Sequence, residues 1–205
     1  MRNCTFLKGW HKLYTTMGLP YGFLVVEDLP VVLHVYDLKS GKEALKGAVE
    51  GGVFTGDQAG NLEAAMTEAG LAADMDGFFQ KVKDFVLPED HKPTHSFKLC
   101  QGCTRNPLPH GDIIAEDGSE MMHLADAWSG LEFCDKLVED GKMPVLDGAA
   151  ILKAAVEANL PMDKEDCEKR WEALPEETRR QFKRGRMNVT RVNIPGLGEA
   201  MILEI

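Results

Sequence analysis

The chain has 205 residues, a net charge of −10, 44% hydrophobic and 27% charged residues. At roughly 100–200 residues per domain this allows one domain or two small ones, with enough apolar material for a core without disulfide staples. Disorder and general adhesion to nucleic acid or anionic membrane are disfavoured by this composition.

In chain order, Phe23–Val26 and Val31–Tyr36 are rich in β-branched and aromatic residues and read as two strands turned by Glu27–Pro30. The second run is nearly all apolar, which predicts a strand buried on both faces. Lys42–Glu50 and Asn61–Ala69 read as Ala-rich helices with a loop over Gly51–Gly60 between them. Residues 74–87 place Phe78, Val82 and Phe85 at helical spacing, capped by Asp74 or Asp76 and closed by Pro88.

Residues 88–119 carry Pro88, Pro93, Pro107 and Pro109 and predict a long irregular segment, which a compact domain keeps for function or ligand binding. Residues 120–139 read as one helix along Leu124, Trp128 and Leu131. Asp147–Asn159, with Asp147 as its cap, Asp163–Leu174 and Pro175–Arg184 read as further helices. Arg186–Ile194 and Glu199–Ile205 flank Pro195–Gly198 as a terminal hairpin. The pattern shows no internal repeat. It predicts an α+β fold: a small antiparallel or mixed sheet, several helices and a Pro-rich, Cys/His-containing middle segment. The expected division is 1–87, an N-terminal α/β unit; 88–119, the Pro-rich segment; and 120–205, a helical unit with the hairpin. One domain over all three is an equal reading.

No apolar run is long enough to span a bilayer, so a cytoplasmic protein with no membrane partner is expected. Five cysteines at uneven spacing make a poor disulfide framework. Two of them form Cys100-x-x-Cys103, next to His91, His95 and His110. Zinc takes four ligands in a tetrahedron and favours thiolate with imidazole. Two residues between cysteines turn the chain so that both sulfurs face one ion, and Gly102 eases that turn. The ligand set this would give is Cys2His2 from His91, His95, Cys100 and Cys103, with His110 as a substitute and zinc as the cofactor; a Pro-rich surface loop that carries free cysteines and histidines, with no cofactor, explains the same residues. Finger spacing puts about a dozen residues between the pairs. Here four intervene, closer to a zinc knuckle. A redox pair is disfavoured because the motif does not open a helix after a strand.

A catalytic zinc would need an open position and a base. Asp112, Glu116, Glu120 and His123 lie near in sequence, but metalloprotease, zinc deaminase, phosphate-loop, calcium-loop and G-x-S-x-G patterns are all absent. Cys134 reads as a buried thiol.

The second candidate is a basic run: Arg179, Arg180, Lys183, Arg184, Arg186 and Arg191, with no acidic residue over 178–198. Arginine forks bind phosphate, nucleic acid or an acidic partner. A solvated helix end, with Glu176 paired to Arg180, explains the same residues. No complete catalytic constellation is present, so the leading expectation is a non-enzymatic binding or assembly protein with a structural zinc site and a protein partner. A metal-dependent hydrolase or nuclease-like enzyme on the same cluster, and a nucleic-acid-associated protein using the arginine run, are the alternatives.

Overall fold

The computed structural model describes residues 3–27, 32–101, 103, 106–183, 188–194 and 198–204. The elements run β1 (Cys4–Lys8), α1 (Lys12–Thr16), β2 (Gly22–Val26), β3 (Val32–Val35), α2 (Leu38–Glu50), α3 (Gly56–Glu68) and α4 (Met75–Asp84). Then come β4 (Ser96–Leu99), β5 (Gly111–Ile114), β6 (Glu120–Leu124), α5 (Ala127–Glu139), α6 (Val145–Glu157), α7 (Lys164–Ala173), α8 (Glu176–Lys183), β7 (Asn188–Ile194) and β8 (Gly198–Glu204). Two antiparallel three-stranded sheets form, β1-β2-β3 and β4-β5-β6, beside a two-stranded ladder β7-β8. The fold is α+β.

With α1 set aside, which lies between β1 and β2, the order β-β-β-α-α-α occurs twice. The pairs α2/α5, α3/α6 and α4/α7 begin and end 89 residues apart, and β2/β5 begin 89 apart. Their caps repeat as well. Asp37 and Asp126 accept from Ser40 and Ser129, and Asp74 and Asp163 accept from the amides of Gly77 and Asp166. Each carboxylate satisfies an orphan amide at a helix N-terminus. In both units the first helix is tied to the approach to the third by matched backbone bonds: Leu38 N to Ala72 O at 2.8 Å, and Ala127 N to Pro161 O at 2.8 Å. The same seven positions are buried in both, as Leu24, Val35, Leu45, Phe54, Leu62, Met66 and Leu71, and as Ile113, Leu124, Cys134, Met143, Ile151, Ala155 and Leu160. Gly22 and Gly111 also match. A Cβ there would land 2.2 Å from the Phe6 ring and 2.5 Å from the Phe97 ring, so each sheet needs a glycine under a phenylalanine. The chain is therefore an internal duplication, contrary to the sequence reading. The conserved features are caps and core positions, spread too thinly to register as a repeat.

The two units are joined by a shared core. Helices α1 and α4 of the first pack on α5 and α6 of the second. Leu13, Phe78 and Val82 lie in one buried cluster with Leu131 and Leu152. In the first unit the positions of Leu131 and Leu152 hold Lys42 and Glu63, which make an exposed ion pair at 2.6 Å. The helical face that is covered in one unit is thus charged and solvated in the other.

Several expectations need correction. The segment 88–119 contains β4 and β5. Residues 120–139 begin as a strand, β6, and become helical only at Ala127, after the Asp126 cap. Val31–Tyr36 is not buried on both faces. In it β3 is an edge strand, with Leu33 at 44% exposure and Val35 in the core. Gly51–Gly60 is not all loop, because Thr55 and Gln58 form a capping box that starts α3 at Gly56. Asp147 is not a cap: Pro144 takes that position. The sequence reading also missed β1 and α1.

Candidate metal centre

The second sheet brings the two ends of the 100–110 connection together. Leu99 pairs with Gly111, and the Cys100 amide donates to the His110 carbonyl at 2.9 Å. Cys103 lies within the connection. Ligand atoms of Cys100, Cys103 and His110 all fall within 4.8 Å of one another. His110 is 3% exposed. Its Nδ1 stands 2.7 Å from the Leu108 carbonyl, so that nitrogen carries the proton and donates. In the neutral ring Nε2 then keeps the lone pair a metal requires, and the carbonyl fixes the ring. Burial, with the neighbouring Cys103 thiol, holds the Cys100 pKa above its usual value. A bound cation would reverse that by favouring thiolate. Two sulfurs and an imidazole nitrogen suit zinc and not a hard cation. Gly102, credited with easing the turn, lies outside the described residues.

A second group lies on the same sheet. Asp112 on β5 pairs with His123 on β6, and His123 Nδ1 is 2.6 Å from Asp112 Oδ1. Glu120 completes a set of three with them. The rings of His110 and His123 stand 5.2 Å apart at 61°. The sequence reading placed His123 on a helix and so had no reason to set it beside His110. The signal was the short run Glu120–Leu124, followed by an Asp cap.

His91 and His95 do not join this centre. Both turn to Asp147, which is fully buried in the first turn of α6. Asp147 Oδ2 accepts from the Thr94 amide at 3.0 Å, the Thr94 hydroxyl at 2.6 Å and the His95 amide at 2.9 Å. His95 Nδ1 lies 3.1 Å from Oδ2, and His91 Nε2 lies 3.1 Å from Oδ1. Burial alone would raise the Asp147 pKa, but the Thr94 and His95 hydrogen bonds outweigh it and hold the carboxyl below its usual range. The histidines fix the entry to β4. His110, the expected substitute, is the histidine that stands with Cys100 and Cys103.

A third gathering, His11, Asp135 and Glu139, joins the two units. Asp135 meets His11 at 2.7 Å, and Glu139 accepts from the Lys12 amide at 2.8 Å, so α5 holds the start of α1. Of the basic run, Arg180 pairs with Glu176 within α8 and Arg179 is half-buried. The Lys183 and Arg191 side chains, with Arg184 and Arg186, lie outside the described residues.

The first unit shows what the same positions hold without a ligand set. By strand register Gly9 stands for Cys100 and Tyr21 for His110, with the matching bond from Gly9 N to Tyr21 O at 2.8 Å. A Cβ on Gly9 would meet the Tyr21 ring at 2.1 Å. Tyr21 packs on Phe23 at 5.4 Å, and Phe23 on His34 at 4.7 Å. Tyr21, Phe23 and His34 correspond to His110, Asp112 and His123.

Comparison with protein-family models, with curated proteins and with solved structures finds no match. Among the described residues no helix is long and apolar enough to cross a membrane.

Proposed function

We propose that this is a binding or assembly protein, without catalysis, in which a zinc ion on Cys100, Cys103 and His110 fixes the second unit. The observation that carries this reading is the substitution between units: a glycine and a ring packed edge-on in one, a thiol and an oriented imidazole at the equivalent positions in the other. An ion that takes the place of core packing has a structural role, and binding to the folded state adds directly to stability. The partner is another protein. Leu7, Trp10 and Leu33, on and beside the first sheet, are 44%, 69% and 44% exposed and offer it apolar surface. Chelation at neutral pH should lower the melting temperature of the purified protein, added zinc should restore it, and Cys103→Ser should be insensitive to both. Catalytic turnover that Cys103→Ser abolishes while the fold persists would sink the reading.

A metal-dependent hydrolase is the second reading. Its support is the acidic set Asp112, Glu120 and His123, which could supply a base if the ion kept a water as its fourth ligand.

A further inference from the structure

We infer that His123 is the fourth ligand of this centre and that Asp112 is its positioning residue, so the coordination is closed by protein. The inference rests on the reading that Cys100, Cys103 and His110 bind the ion.

Both histidines have the same arrangement. Each engages Nδ1 with an oxygen, His110 with the Leu108 carbonyl and His123 with the Asp112 carboxylate, and each keeps Nε2 for a ligand role. His123 stands with Asp112 and Glu120, outside the 4.8 Å set of Cys100, Cys103 and His110, so binding would draw its Nε2 toward the ion, and the spacing of the two rings suits that move. Two imidazoles bound through Nε2 to one tetrahedral zinc, with Zn–N of about 2.1 Å, hold their ring centroids about 5 Å apart. The observed separation is 5.2 Å, with the rings steeply inclined at 61°.

Strand register explains how the two rings come to one place. Cys100 faces His110 across the end of the β4–β5 ladder, and Asp112 lies two residues further along β5, on the same face. His123 is the cross-strand partner of Asp112. The four positions therefore form one patch on one face of the second sheet.

Comparison between the units accounts for the residue types. Tyr21, Phe23 and His34 pack ring against ring, with Trp10 covering Phe23 at 5.4 Å. In the second unit the middle ring becomes a carboxylate. A carboxylate cannot fill an apolar stack, but it can orient an imidazole for a metal. Charge also balances. Two thiols lose their protons on binding, and the two thiolates neutralise a dication. Lys98 is the other cross-strand neighbour of Asp112 and offsets its charge. With four protein ligands no position remains for substrate water, which makes the ion structural and removes the hydrolase reading.

Zinc-edge X-ray absorption on the wild-type, zinc-loaded chain tests this without a variant. Two sulfurs and two imidazoles are expected; two sulfurs and a single imidazole would overturn the assignment. Zinc affinity, measured by competition with a chromophoric chelator, should fall at least tenfold in His123→Ala. It should fall roughly tenfold in Asp112→Asn, the loss typical of an outer-shell partner, while two imidazoles stay bound. His34→Ala, at the matching position of the first unit, should bind as wild type. Wild-type affinity in His123→Ala, alongside loss in Cys103→Ser, would refute the fourth ligand alone. Failure of the wild type to take up zinc would refute the metal reading as well.

Discussion

Gln58 and Asp147 occupy the same position, three residues past the caps of the equivalent helices α3 and α6. Gln58 completes a capping box, its side chain accepting from the Thr55 amide at 3.0 Å. In α6 the cap is Pro144, which has no amide to offer. The acidic side chain at that position is thereby released to bind Thr94 and His95. Sequence reasoning identified Asp147 as a helix-start residue but gave it the wrong role, because the use of its carboxylate depends on a turn more than fifty residues away. Asp147→Asn should cost about 3 kcal/mol at neutral pH, the scale of a buried, multiply bonded carboxylate. The pH dependence has a definite sign. A depressed folded pKa means stability that is full above the unfolded pKa of about 3.9 and is lost as pH falls through the lower folded value. Melting temperature against pH should therefore drop more steeply below about pH 4 in the wild type than in Asp147→Asn. Parallel curves would contradict the assignment. Cys134, read from sequence as a buried thiol, stands at the core position of Leu45, and burial pushes its pKa up to about 12.

Helices were more legible than strands. The expected helices at 74–87 and 163–174 correspond to α4 and α7, because Asp caps and apolar spacing are local signals. The strands β4, β5 and β6 are four or five residues long, and β4 and β5 follow prolines closely, so alternation had little length in which to appear. That loss carried over to the site. Cys100 and Cys103 were visible from their spacing, and His110 was named as a substitute. His123 comes beside Asp112 and the His110 ring only through the β5–β6 register, which no local pattern encodes. His91 and His95 had acceptable metal spacing and were drawn away by a buried carboxylate on another element.

Across the whole molecule, two copies of one unit have diverged at their contact and at their sheets. Leu131 and Leu152 replace the solvated pair Lys42 and Glu63 where the first unit covers the second. The sheets differ too: packed rings in the first, and Cys100 and Cys103 beside His110 in the second. Such a shared core predicts that damage in one unit is felt in the other. Phe78 belongs to the first unit, is 0% exposed and lies in the cluster with Leu131 and Leu152. Phe78→Ala should cost about 3–5 kcal/mol. Amide exchange should then accelerate in α5 and α6 as well as in α4. Acceleration confined to the first unit would show that the units are stabilised separately.

Elemental analysis of the purified, untagged chain, beside Cys100→Ser/Cys103→Ser, reads the proposed zinc ion of the second unit without any assumption about its ligands. One zinc per chain is expected in the wild type and none in the double variant. A wild-type chain that remains free of metal after exposure to stoichiometric zinc at neutral pH would contradict it.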